Sequence, residues 1–321
     1  VRAIVQDAYG SADVLTLREI ERPDVQDDEV RIRVVAAGVD RGALHLMTGV
    51  PYLMRILGVG LRVPKTRVPG TNVAGHVDAV GKDVTRFQQG DEVYGTCKGS
   101  FAEYACAREE QLAPKPANLT FEQVAGVPHA GFAALQALRD HGKVQPGQKV
   151  LIVGASGAVG SMAVQLAKAF GAQVTGVCGT SKVDMVRTLG ADHVIDYTRD
   201  DFAEGTRYDL IVDTGGNSSL SRLRRALSPQ GTLVIVGGEG GGRWIGMGRQ
   251  FRALMLSPFV GQKLRTFVAK ENAQDLLVLN ENIESGKITP IMGRTYALSD
   301  APDAVRDLET GQTQGRIIIT V

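Results

Sequence analysis

Through the first hundred residues the apolar positions recur mostly every second place. Residues 1–5 and 15–20 read as short strands joined by a turn at 9–13. In residues 29–37, Val30, Ile32 and Val34 fall on one face and Arg31 and Arg33 on the other, as in a half-buried antiparallel strand. The alternation returns in residues 72–80, a turn follows at 81–84, and residues 90–95 hold another short strand. Several short strands with glycine turns between them imply a compact β-barrel-like domain. Residues 47–69 are apolar but broken by Gly49, Pro51, Gly58, Gly60 and Pro64, so they read as a loop. With Tyr52, Leu53, Met54, Ile56 and Leu57 in it, the loop is either an apolar lid or an ordinary packed loop.

The period changes near Leu119. Residues 121–127 and 130–140 read as helical, and residues 149–171 as strand, glycine loop and helix. Strand 173–178, helix 182–189 with Gly190 as its stop, strands 193–197 and 209–213, helix 220–227 and strand 232–236 follow. This alternation implies right-handed crossovers and a doubly wound parallel sheet with helices on both faces. Residues 265–269 are expected as the last strand of that sheet, short enough either to pair with a second copy or to lie at an edge. The tail from residue 270, with its terminal strand 316–321, reads as a return to the first domain. The glycine cluster 237–242 reads as a loop at a strand end.

Residues 149–171, KVLIVGASGAVGSMAVQLAKAFG, carry the clearest chemistry. Val159, Met162, Ala163, Leu166 and Ala169 share one helical face, and Gly171 stands where a left-handed C-terminal residue is needed. Gly154, Gly157 and Gly160 allow a sharp turn, close approach of a phosphate and close packing of the helix, whose first N–H groups attract anions. Ala155 replaces the first glycine of G-x-G-x-x-G, so taken alone the loop is either a phosphate cradle or a plain tight turn.

Composition narrows the class. With 43% hydrophobic residues and 36 basic against 35 acidic side chains, the chain reads as an ordinary globular protein with no electrostatic reason to bind nucleic acid or membrane. Cys97, Cys106 and Cys178 have neither metal spacing nor an even count, which favours a reducing, cytoplasmic setting. No apolar run is long enough to span a bilayer, and no secretory signal pattern is present at the start of the sequence.

Taken in order, GTNVAGHVDAVG at 70–81, GDEVYG at 90–95, GSFAEYA at 99–105, AGFAALQAL at 130–138, GQKVLIVGASGAVG at 147–160, GADHVIDY at 190–197 and GRIII at 315–319 resemble one family. The chain is similar to the medium-chain dehydrogenase/reductase superfamily, in its zinc-free quinone oxidoreductase (zeta-crystallin-like) branch. The resemblance implies an α/β protein with a GroES-like β-rich catalytic domain from residues 1–120 and 270–321. Residues 121–269 would form a Rossmann doubly wound parallel-sheet domain, with an active cleft at the junction. It also implies a small hydrophobic carbonyl or quinone as substrate, and a homodimer paired through the last Rossmann strand.

The cofactor preference is argued from side chains. An NAD enzyme usually carries an acid about 20 residues beyond the glycine loop, to hold the ribose 2′-OH. Here Cys178 stands at that position, followed by Gly179, Thr180, Ser181 and Lys182, which can donate to a 2′-phosphate; NADPH is therefore expected. The alternative makes Ser181 a helix cap and Lys182 a solvated residue. Ser156, Gly157, Ala158, Val159 and Gly160 are expected at the phosphates, and Tyr197 beside the adenosine phosphate unless it is only a strand-end aromatic. Thr214, Gly215, Val236 and Gly237 are expected along the nicotinamide half, at strand carboxyl ends. Arg243, Arg249 and Arg252 either steer the phosphate or form a solvated face.

By the resemblance, the three zinc-ligand positions of the superfamily hold Asp40, Thr71 and His129, a poor set for zinc; no metal site is expected. His76 lies off those positions on a strand and reads as structural. Without a Lewis acid the favoured substrates are enones, enals and quinones, whose oxygen-centred charge is delocalised after hydride addition. Asp40, His45 and His129 are the candidate catalytic residues, as a donor titrating near neutral pH. The opposing reading has Asp40 capping a helix from Arg41, His45 partly buried in that helix and His129 closing a structural hydrogen bond. Asp40, His45 and Ala133 depart from the residues common in the branch. The alternative function is an NADPH-binding redox sensor or interaction protein with little catalysis.

Overall fold

In a computed structural model of the chain, residues 1–236, 248–311 and 315–321 are described. They fall into two compact units, Val1–His129 with Glu271–Glu284 and Thr289–Val321, and Ala130–Lys270 with Ser285–Ile288.

The first unit is built on a seven-stranded sheet. Its order is Met292–Ala297, Arg316–Thr320, Glu29–Val39, Asn72–Val80, Glu92–Thr96 and Leu112–Pro114, and Tyr104–Arg108 pairs on Glu29–Val39 as well. Glu29–Val39 is the spine, antiparallel to three neighbours. Its alternation sends Val30, Ile32 and Val34 into the core while Arg33 stays exposed, the expected pattern. That core joins Ile4, Met47, Val73 and Phe101 to Leu298, Ala301, Ile317 and Ile319 from the far end of the chain. The tail therefore does return to the first domain. Helix Ala273–Glu284 is also held there, the Tyr94 hydroxyl donating to Asn280 Oδ1 at 2.6 Å.

Two differences from the sequence reading stand out here. Helix Phe121–Ala125, expected with the dinucleotide domain, packs on Glu29–Val39 and Asn72–Val80 of the first unit, with Val124 and Ala125 fully buried. Gly38 permits this, because a Cβ there would lie 2.4 Å from the Ala125 carbonyl oxygen. The stretch 47–69 holds one short helical turn, Arg55–Val59, rather than loop throughout. His76 stays in its strand with its ring against Phe121, in keeping with a structural role.

The second unit is a six-stranded parallel sheet. Across it run His193–Asp196, Gln173–Cys178, Lys149–Val153, Tyr208–Asp213, Leu227–Ile235 and Lys263–Thr266. The order reverses between Lys149–Val153 and Tyr208–Asp213, the switch point at which open α/β sheets of this Rossmann order bind ligands. Central strands buried on both faces need uninterrupted apolar runs. Val150, Leu151, Ile152, Ile211, Val212, Leu233, Val234 and Ile235 provide them at zero exposure. Gly171 and Gly190 stop their helices in left-handed conformations, as expected. The last strand begins at Lys263, two residues before the expected start, and forms the sheet edge.

Candidate active site

Within the second unit the expected cofactor residues converge at the carboxyl edge of the sheet. After Val153 the chain turns at Gly154 (φ 83°), one place ahead of the motif's first glycine. Ala155 is accommodated because the left-handed residue is its neighbour, and its Cβ faces Gly176 of the next strand. Gly154 and Ala155 both donate to the Val177 carbonyl, at 3.1 and 3.0 Å. Helix Ala158–Ala169 starts at Gly157 with no side-chain cap, leaving its first N–H groups for an outside acceptor. At Gly160 a Cβ would sit 2.1 Å from the Gly154 oxygen, so the helix lies directly on the turn.

The neighbouring strand ends close in on this loop. The Thr214 hydroxyl donates to the Val153 carbonyl at 2.8 Å, and Val236 donates its N–H to Asp213 at 3.0 Å. Asp213, fully buried, accepts from Gly215 and Gly216 and lies 2.6 Å from the Arg249 guanidinium. Burial pushes its carboxyl up, opposed mainly by Arg249. Arg249 thus locks the turn after Asp213 and is not a free phosphate guide, while Gly237 and Arg243 lie outside the described residues.

At the expected 2′-phosphate position, the Thr180 hydroxyl donates to Asp196 Oδ2 at 2.6 Å and is committed within the protein. The cap of the turn Thr180–Lys182 is Gly179 with no side-chain bond, so Ser181 is not a cap. Lys182 has no ion pair among the described residues, and Tyr197, exposed, holds its hydroxyl beside Gly179. Ser181, Lys182 and Tyr197 remain as donors facing solvent.

The first unit holds a charge cluster. Asp40 caps helix Arg41–Thr48, Oδ1 accepting from the Ala43 N–H at 2.7 Å, and Oδ2 accepts from Asn72 Nδ2 at 2.6 Å. His129, in helix Pro128–Gln136, places Nδ1 at 2.6 Å from Asp40 Oδ2 and Nε2 at 2.9 Å from Glu271 Oε1. Glu271 Oε2 accepts from Thr96 and Gln111 at 2.8 and 2.9 Å. A carboxylate on each ring nitrogen requires a proton on each, so the ring is an imidazolium. Burial works against that charge, but Asp40 and then Glu271 outweigh it, raising the ring to about 10. Burial likewise opposes the Asp40 anion, yet His129 and its hydrogen bonds hold its carboxyl below the usual range.

This arrangement changes the sequence reading in four ways. His129 does not titrate near neutral pH. His45 is exposed, with Nδ1 on the Val50 carbonyl at 2.8 Å, and the structure does not bring it into the cluster. Glu271 was missed, since nothing in its local sequence links it to a histidine 142 positions earlier. Arg316 was missed too: Nη2 is buried with no hydrogen-bond partner, and its guanidinium lies close enough to interact with Asp40.

The donor set also bears on whether zinc suits this cluster. Asp40, Thr71 and His129 do sit together, Thr71 Oγ1 lying 3.3 Å from His129 Nδ1. A zinc ligand must present a bare nitrogen, whereas here both ring nitrogens are directed at carboxylates, Asp40 and Glu271. Thr71 is a weak ligand, and no cluster of three or more His, Cys, Asp or Glu among the described residues is arranged to hold a metal. These residues do not fit zinc.

Family models for an alcohol dehydrogenase GroES-like domain and a zinc-binding dehydrogenase match residues 26–117 and 189–319. A 2-methylene-furan-3-one reductase of Solanum lycopersicum is 33% identical over 327 residues, covering 97% of this chain and 76% of the relative. The chain belongs to the medium-chain dehydrogenase/reductase superfamily, in its quinone oxidoreductase branch. Within that superfamily, the chloroplastic NADPH-dependent alkenal/one oxidoreductase of Arabidopsis thaliana is 32% identical, covering 99% of this chain and 79% of its own. The solved quinone oxidoreductase of Coxiella burnetii superposes with a TM-score of 0.84 at 28% identity, covering 100% of this chain and 99% of that one. The label of the second family model names zinc, but its match, residues 189–319, does not include Asp40, Thr71 or His129.

Proposed function

We propose that this protein is an NADPH-dependent oxidoreductase that reduces quinones or α,β-unsaturated carbonyl compounds without zinc. The relatives named for quinone and alkenal/one reduction, one of them NADPH-dependent, support the reaction class. The open cradle at Gly157 supports a bound pyrophosphate, and Ser181, Lys182 and Tyr197 support a 2′-phosphate. Bound NADPH supplies the hydride, which on such substrates leaves negative charge on the carbonyl oxygen.

The observation that carries the proposal is the His129 imidazolium pinned between Asp40 and Glu271. At neutral pH it sets a charged ring with a directed N–H at a position that the resemblance assigns to a metal ligand of the superfamily's zinc enzymes. A fixed cation stabilises a developing oxyanion without having to reorganise. Asp40 keeps the ring charged and oriented. The Nε2 side is the more open one, with Glu271 36% exposed, and is where a substrate oxygen can share the proton. Three free cysteines accord with a reducing cytoplasmic setting, and the edge strand Lys263–Thr266 offers a pairing edge for a homodimer.

The test mixes the protein with NADPH and a panel of enals, enones and quinones, with a metal chelator present, and follows the loss of NADPH absorbance. Turnover unaffected by the chelator is expected. Activity abolished by the chelator overturns the zinc-free reading. Tight NADPH binding with no turnover on any substrate favours a redox sensor instead.

A further inference from the structure

The second unit contains a cavity of about 270 Å³ away from its glycine loop. His141, Lys143, Asp209, Gln230, Lys263 and Arg265 are among the residues lining it. Lys263 opens the edge strand and lies opposite Thr232, which lies opposite Leu210, next to Asp209; Gln148 precedes strand Lys149–Val153. In a parallel sheet these amino-terminal positions share one edge, and the glycine loop and Asp213 lie at the other. Four or five residues at roughly 3.3 Å each separate the two edges, on the order of 15 Å.

We propose that this cavity binds a small multivalent oxyanion of the size and charge of pyrophosphate. Its wall carries two ammonium groups, Lys143 and Lys263, neither of them in an ion pair among the described residues. Arg265 adds a guanidinium fixed in place by its bond from Nη1 to the His141 carbonyl at 3.1 Å. Asp209 is the one acid of the lining, and its Oδ2 already accepts the Lys149 N–H at 2.9 Å. The hydroxyls and amides around it can donate as well as accept, so the lining's surplus is of positive charge. The volume lies just below the range of sites for drug-sized ligands, which favours a compact ion over a whole nucleotide.

The backbone holds one of these lysines in place. Lys143 is the single non-glycine residue with positive φ among the described residues, at 51°. Gly142 cannot be replaced to relieve it, since a Cβ there would lie 2.7 Å from the Ala137 oxygen and 2.8 Å from a Leu210 methyl. The helix end is thereby pinned against the sheet, with Lys143 at the cavity.

The experiment is calorimetric titration of the NADPH-saturated protein with inorganic pyrophosphate, at an ionic strength held constant with chloride. Saturation with NADPH keeps the probe from the glycine loop. One saturable site is expected, weakened about tenfold by Lys143→Asn or Lys263→Gln, each of which removes one charge-assisted contact. The double variant should lose binding while NADPH affinity and turnover stay unchanged. Both side chains are exposed, and asparagine tolerates the left-handed conformation at 143, so folding is preserved. Heats no larger than those of matched chloride, or a double variant that binds like the wild type, overturn the proposal.

Discussion

Asp40→Asn is the sharpest probe of the charge cluster. Asp40 uses Oδ1 for the Ala43 N–H and Oδ2 for both His129 and Asn72. Asparagine has one oxygen, so if it keeps the cap it turns an NH₂ toward two other donors, and the Nδ1 proton of His129 loses its acceptor. In the wild type the ring rises from 6.5 to about 10. At about 1.4 kcal/mol per tenfold change in proton affinity, that rise is worth on the order of 5 kcal/mol. Glu271 is 36% exposed and its share is screened, so the larger part is assigned to Asp40, on the order of 3 kcal/mol. The folded-state value is raised above that of an unfolded histidine. The stabilisation is therefore complete below about pH 6.5 and is lost as pH rises through about 10. Nuclear magnetic resonance titration of the His129 ring should give a midpoint well above 8 in the wild type, falling by one to three decades in Asp40→Asn. Urea unfolding should show wild-type stability declining from neutral to alkaline pH, with a flatter profile in the variant. A wild-type ring that titrates near 6.5, or a midpoint unmoved by the substitution, would refute the imidazolium assignment.

Gly160→Ala places a methyl 2.1 Å from the Gly154 oxygen, a backbone atom that cannot move aside, and should lower NADPH affinity by at least about tenfold in a fluorescence titration. Lys182→Ala should weaken NADPH about tenfold and leave NADH nearly unchanged, so the ratio of the two dissociation constants is the measurement. Asp213→Asn removes the anion beside the buried Arg249 guanidinium and should cost on the order of 3 kcal/mol in urea unfolding, while loosening the Gly215–Gly216 turn.

Much of the fold was legible because period and punctuation agreed. The two-residue alternation of 29–37 and 72–80 and the glycine stops at 171 and 190 mark elements whose local preference matches their burial. Helix 121–125 went to the wrong unit because five residues carry no record of which sheet they cover; the close approach at Gly38 decides it. The cofactor loop could be read because its residues are contiguous. The charge cluster could be read only in part: Asp40 and His129 were recognised by resemblance, but Glu271 and Arg316 reach them through folding of the tail. Thr180 shows the limit of residue chemistry: a hydroxyl at that position suits a ligand, but Asp196, 16 positions on, claims it.

The first unit draws its sheet from both ends of the chain. Strand Glu29–Val39 is bordered by Arg316–Thr320, and Ile317 and Ile319 belong to the same core as Ile4 and Val30. During synthesis the early strands therefore emerge long before the strand that covers their edge, while residues 130–270 are nearly all available to fold on their own. The nascent first unit must wait with an unpaired, apolar strand edge exposed until residues 316–320 have left the ribosome. Production of the intact protein is thus expected to depend on how quickly translation passes from residue 39 to residue 320 and on what shields that edge in the interval.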